Sequence, residues 1–80
     1  MYYVYILKSL NFPEKIYVGY TQNIDCRLEQ HNAGKSSYTD KYKPWVVHGY
    51  VAFFEENKAI AFEKYLKTGS GKALAQKHFL

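Results

Sequence analysis

A single cysteine, Cys26, excludes a disulfide framework within this 80-residue chain and leaves a structural zinc site without its usual thiolates. No apolar run approaches the roughly 20 residues that a membrane-spanning helix needs, and the opening stretch "MYYVYIL" breaks at Lys8. That stretch has no basic start before its apolar residues and no small-residue cleavage site, so the expected location is cytoplasmic, with no membrane partner. Acidic residues are also few. Seven Asp and Glu stand against eleven Lys and Arg, a formal net charge of +4 that is compatible with a polyanionic partner. A chain of this length has a thin core, and residues 1–80 read as one domain.

Aromatic residues are abundant, with nine tyrosines. Interleaved with lysines, they suit stacking on nucleobases as well as they suit packing. Residues 2 to 8 and 15 to 21 are rich in Tyr, Ile and Val and read as strands, with "SLNFPEK" supplying the turn between them. Alternation puts Tyr3, Tyr5 and Leu7 on one face and Val4, Ile6 and Lys8 on the other. Pairing the two strands symmetrically sets Tyr5 roughly opposite Tyr17.

Thr21 or Asn23 can cap a helix running to about Asn32, with Gly34 as its stop. At about 100° per residue, Ile24, Arg27, Leu28 and His31 share one stripe, so the inward side of this helix carries two basic groups. Residues 35 to 44 read as a polar, lysine-rich loop, and 45 to 54 as a third strand. A second helix begins at Asn57, or at the acidic pair before it, and runs to about Lys67. Its apolar stripe is Ala59, Phe62 and Leu66, with Glu63 at the edge. After Gly69-Ser70-Gly71, "KALAQKHFL" reads as a short amphipathic helix. The expected fold is α+β: a small three-stranded antiparallel sheet flanked by helices, in the order ββαβα plus a C-terminal helix.

Some candidate motifs fail on spacing. "GSGKA" lacks the first glycine of a phosphate loop, because Leu66 stands there, and Ala73 stands where Ser or Thr is needed. Cys26 and His31 are five residues apart on a helix and point away from each other, which excludes a thiol–imidazole pair. His31, His48 and His78 have no metal-ligand spacing. Tyr5, Tyr17, Arg27, His31 and Glu63 remain. Each has a plain structural account: a cross-strand aromatic pair, an ion pair for Arg27, a backbone bond for His31, and an i,i+4 pair of Glu63 with Lys67. Together they bring two phenols, a guanidinium, an imidazole and a carboxylate to a surface between sheet and helices.

The set "YVY" (3 to 5), "YVG" (17 to 19), "RLEQHN" (27 to 32) and "FEKYLK" (62 to 67), with "HNAG" and a late "PW", resembles the GIY-YIG nuclease superfamily. It is most similar to the small stand-alone bacterial members, and the likeness runs through essentially the whole chain. The resemblance implies a metal-dependent DNA endonuclease, acting on branched or damaged DNA in repair or recombination. By the same resemblance Tyr5 is the general base or water-positioning group, and Tyr17 is its partner at the water or phosphate. Arg27 stabilises phosphate charge, His31 lies beside the tyrosines, and Lys8 favours the phenolate. Glu63 is the lone carboxylate ligand of one divalent ion, Mg²⁺ or Mn²⁺. The chain departs from the family pattern in reading "YVY" where glycine comes first. It also has no asparagine beyond Asn57, which leaves Gln76 as the candidate for a phosphate contact.

The chemistry is coherent. Phosphodiester hydrolysis needs an activated water and neutralised phosphoryl charge. One carboxylate suits Mg²⁺, which keeps several waters and takes its remaining ligands from phosphate. Lys35, Lys41 and Lys43 are expected to hold the DNA backbone, and Tyr38 or Tyr42 either stacks on an exposed base or packs. Two rival readings stay open: a nucleic-acid-binding module with little turnover, and a nuclease subunit targeted by a protein partner.

Overall fold

The computed structural model describes residues 1–35, 37–69, 71 and 73. The elements in chain order are β1 (Tyr2–Ser9), β2 (Ile16–Thr21), α1 (Ile24–Asn32), α2 (Ser37–Lys41), β3 (Trp45–Phe53) and α3 (Glu56–Leu66). The strands form one antiparallel sheet in the order β2-β1-β3, so β1 is central and β2 keeps a free edge.

The alternation in β1 divides the core in two. Val4 and Ile6 join Val18, Ala59 and Leu66 beneath α3, while Tyr5 and Leu7 join Trp45 on the opposite face, with Ile24 and Leu28 of α1 packed against them. A strand covered on both faces reads as a near-continuous apolar run, as "VYIL" does. Each Val, Leu or Ile buried in this way contributes roughly 1.5–3 kcal/mol.

The hairpin register differs from the symmetric expectation. Tyr5 lies opposite Gly19, and Tyr17 lies opposite Leu7. The turn sets this pairing: Ser9 N–H donates to the Lys15 carbonyl at 3.1 Å, and the Ser9 hydroxyl accepts from Phe12 N–H at 3.1 Å. The offset is an even number of residues, so both tyrosines keep the face expected of them.

Asn23 is the N-cap of α1; its backbone is extended and its side chain accepts from Cys26 N–H. Gly34, at φ 79°, ends the helix. The segment expected as a loop instead contains the single-turn helix α2. It forms because Trp45 holds it: the indole N–H donates to the Thr39 carbonyl at 2.8 Å, and Tyr38 stacks on the Trp45 ring with centroids 6.0 Å apart. The order is therefore ββααβα. The helix expected over residues 72–80 lies, Ala73 aside, outside the described residues. Among the described residues no helix is long and apolar enough to cross a membrane.

Candidate active site

Tyr5 rises from the central strand, and its hydroxyl passes over the residue opposite it. A Cβ built on Gly19 would lie 2.5 Å from the Tyr5 hydroxyl oxygen, 2.8 Å from its Cζ and 3.2 Å from Cε2 of Tyr17. Only a residue without a side chain lets the phenol extend this way. This explains the glycine in "YVG" through a close approach.

The phenol ends on His31, whose Nε2 lies 3.0 Å from the Tyr5 oxygen in a buried hydrogen bond. Tyr17 closes the cluster, with its ring centroid 4.7 Å from that of His31 and 6.4 Å from that of Tyr5. Burial pushes the Tyr5 phenol well above its ordinary pKa of 10.0; the neighbouring Tyr17 and Glu63 add to the rise, and Arg27 opposes it. Burial lowers the His31 imidazole below its usual 6.5, and the Arg27 guanidinium lowers it further. At neutral pH both groups are therefore uncharged. The bond therefore joins two neutral partners: the phenol donates to Nε2 in the tautomer protonated at Nδ1 and accepts from it in the other.

Arg27 precedes His31 by one turn of α1 and is exposed, with Nη1 donating to Gln30 Oε1 at 3.4 Å. Glu63 comes from α3, on the far face of the sheet. Its side chain is 17% exposed and its carboxylate lies 3.6 Å from Lys67 Nζ. Arg27 and Glu63, from helices on opposite faces of the sheet, both act on the Tyr5 phenol by charge, in opposite senses. One groove at the end of β2 is lined by Tyr20, Thr21 and Arg27 together with Glu56 of α3. Another is lined by Tyr17 and Tyr38 together with Leu66 and Lys67. The site wraps the free edge of β2.

Tyr5, Tyr17 and His31 thus cluster, with the Arg27 charge acting on Tyr5 and His31 and the Glu63 charge on Tyr5. Lys8 is not among the groups that shift the Tyr5 phenol. It sits between Leu7 and Ser9, which both serve the α1–α2 side, so it points to the α3 face, away from Tyr5. The charged and titratable groups that shift Tyr5 are Tyr17, Arg27 and Glu63, and their net effect with burial favours the neutral phenol over a phenolate. The lysines expected to hold DNA lie in or beside α2. Lys35 is exposed, Lys41 lies over the Tyr42 ring, and Lys43 is paired with Asp40 at 2.8 Å. Gln76 is outside the described residues.

One contributor, Asn32, escaped the sequence reading, and Tyr38 takes up packing partners that the sequence did not name. The Asn32 side chain grips the backbone of Trp45 in both directions: Oδ1 accepts from Trp45 N–H at 2.6 Å, and Nδ2 donates to the Trp45 carbonyl at 3.1 Å. This joins the last turn of α1 to the start of β3 and fixes the helix end that carries His31. Tyr38 packs on Tyr17 with centroids 6.2 Å apart and donates its hydroxyl to the Ile16 carbonyl at 3.3 Å, tying α2 to β2. The only sequence signal for Asn32 is its place in "HN", one residue from the candidate imidazole.

The family model described as the GIY-YIG catalytic domain matches residues 1–77. The chain belongs to the GIY-YIG family. A UPF0213 protein of Staphylococcus haemolyticus is 37% identical over 70 residues, covering 86% of this chain and 83% of that protein. A UPF0213 protein of Bacillus licheniformis is 36% identical over 72 residues, covering 89% of this chain and 72% of the relative. Among solved structures, the solution NMR structure of the UPF0213 protein BH0048 from Bacillus halodurans aligns with a TM-score of 0.58 at 30% identity, over 99% of this chain and 87% of that one. GIY-YIG membership makes this a nuclease-type domain and points to nucleic acid as substrate; the names of the relatives state no activity.

GIY-YIG nucleases generally use a divalent metal. Among the described residues no group of three His, Cys, Asp or Glu converges on one point; Glu63 is the residue that would hold an ion by the resemblance. The donor set fits a magnesium-like ion. The carboxylate is a hard oxygen ligand that keeps some exposure, and its ion pair with Lys67 is long enough to yield to a cation.

Proposed function

We propose that this domain is a divalent-metal-dependent DNA endonuclease in which Tyr5 and His31 work as one proton-accepting unit. The observation that carries this reading is the 3.0 Å hydrogen bond between the buried Tyr5 hydroxyl and His31 Nε2. A neutral phenol is a poor base by itself, but it can accept a proton while passing on its own. The attacking water gives its proton to the Tyr5 oxygen as Tyr5 gives its proton to Nε2. The new P–O bond forms, the bond to the leaving oxygen breaks, that oxygen takes a proton from solvent, and His31 becomes imidazolium, returning its proton to solvent afterwards.

Tyr17 lines the same cluster and orients the water or the phosphate. Arg27 presents its fork to phosphate oxygens, for which its exposed position suits it. The guanidinium that depresses His31 in the free protein is offset once a phosphate sits on it. Substrate binding therefore raises the basicity of the imidazole when it is needed. Glu63 would hold the divalent ion, which supplies charge neutralisation at the phosphoryl group. The basic surface of α2 would favour backbone contacts over base readout, consistent with a role on branched or damaged DNA in repair or recombination.

A pH–rate profile tests the relay. The expected kcat/KM rises with pH as His31 loses its proton, in a single step below about 6.5, and is then flat to about pH 10. A rate that keeps climbing above pH 9 would instead make the Tyr5 phenolate the base. The same shifts bound stability, with opposite signs. Folded His31 binds its proton less tightly than unfolded His31, so stability falls as pH drops below the usual histidine range. Folded Tyr5 holds its proton more tightly, so stability falls as pH rises past the usual tyrosine value of 10.0. Thermal melting across pH reads both limbs.

A further inference from the structure

We propose that Lys15 and Lys41, both drawn onto the ring of Tyr42, form a paired seat for backbone phosphates of the DNA strand passing the cleavage site. The proposal rests on the nuclease reading above. Lys15 Nζ lies 5.2 Å from the Tyr42 ring centroid and Lys41 Nζ lies 5.4 Å from it. The two lysines come from different places, one from the residue just before β2 and the other from the end of α2. Their convergence is therefore a product of the tertiary fold.

Tyr42 is held on several sides. It is half-buried against the Trp45 cluster, with Phe12 edge-on at 5.3 Å and Tyr38 at 5.2 Å. Tyr38 continues to Tyr17 at 6.2 Å, so an unbroken row of rings runs from the candidate site to the two ammonium groups. A cation over an aromatic face is restrained and only partly desolvated, so less freedom is lost when an anion arrives.

The charge balance supports the same reading. Among the described residues Lys43, Lys58 and Lys67 each face a carboxylate, at 2.8, 3.3 and 3.6 Å, whereas Lys15 and Lys41 make no ion pair. Two like charges gathered on one ring, neither of them in an ion pair among the described residues, form a local positive focus. A polymer of evenly spaced anions that also enters the Tyr17 site is the partner that fits. The proposal adds Lys15, which was not among the expected DNA contacts. It also separates Lys41, which is free to bind phosphate, from Lys43, which is held by Asp40.

The test is the salt dependence of DNA binding, measured by fluorescence anisotropy without divalent ion. Wild type would be compared with Lys15→Gln, Lys41→Gln, the double variant, and Lys58→Gln as a control from α3. Each phosphate contact contributes about 0.9 to the log–log slope on duplex DNA and about 0.7 on a single strand. Each single variant is expected to flatten the slope by about one contact, and the double variant by about two, with Lys58→Gln matching wild type. Wild type that binds DNA, and cuts it in a parallel assay with Mg²⁺, while the double variant keeps its slope would overturn the phosphate seat and leave the nuclease reading standing. Wild type that neither binds nor cuts DNA would overturn both.

Discussion

Tyr5→Phe is expected to lower DNA cleavage by about 10²- to 10⁴-fold, the range typical of losing a positioned proton-transfer group. The substitution removes one oxygen and keeps the ring, so the 6.4 Å packing with Tyr17 survives. His31 Nε2 loses this hydrogen bond in a position that is 6% exposed. A buried polar atom left unpaired costs about 1–3 kcal/mol, so the variant should also melt earlier. Tyr3→Phe separates the two effects. Tyr3 lies on the same strand and face but packs edge-on to Tyr50 at 5.6 Å, outside the cluster, so its loss should leave cleavage near wild type. Equal losses from Tyr3→Phe and Tyr5→Phe would reduce the Tyr5 hydroxyl to a structural group.

Gly19→Ala should reproduce the catalytic loss of Tyr5→Phe without touching any titratable residue. The added Cβ would sit 2.5 Å from the Tyr5 hydroxyl oxygen, a separation that forces the phenol to move. Displacement breaks the bond to His31, so the expected fall in cleavage is again about 10²- to 10⁴-fold. Overpacking at such a site costs about 1–3 kcal/mol in addition. The two substitutions disable the same contact, so the double variant should be little worse than either single one. Additive losses would mean that Gly19 serves some purpose other than clearing a path for Tyr5.

The sequence disclosed the scaffold of the site more completely than its wiring. Alternation around Tyr3, Tyr5 and Leu7 identified the correct face of β1, because a strand buried on both sides leaves period-two constraints on each. Asn23 and Gly34 bounded α1 because caps are local chemistry, readable within four residues. The register of the hairpin was not readable, since it depends on Ser9 bonding both across the turn and to the Tyr42 carbonyl at 2.6 Å. The helix α2 was likewise hidden in polar residues, because what holds it is the indole of Trp45.

Site residues followed the same division. The resemblance named Tyr5, Tyr17, Arg27, His31 and Glu63, yet neither it nor periodicity could say that the Tyr5 hydroxyl meets His31 directly. Lys8 illustrates the limit. The resemblance assigned it to the Tyr5 phenol, while alternation in the strand already put the two side chains on opposite faces. The grip of Asn32 on Trp45 joins a side chain to a backbone 13 residues away, which no local pattern signals.

The central claim is that Tyr5, backed by His31, and a divalent ion on Glu63 together hydrolyse DNA. Its most direct test is cleavage of plasmid, linear duplex and branched DNA by the purified protein in Mg²⁺, Mn²⁺ or EDTA, with Tyr5→Phe and Glu63→Gln alongside. The account predicts cutting that requires the metal and is lost in both variants while their far-UV circular dichroism stays that of wild type. Cutting that persists in EDTA, or in Glu63→Gln, would contradict it.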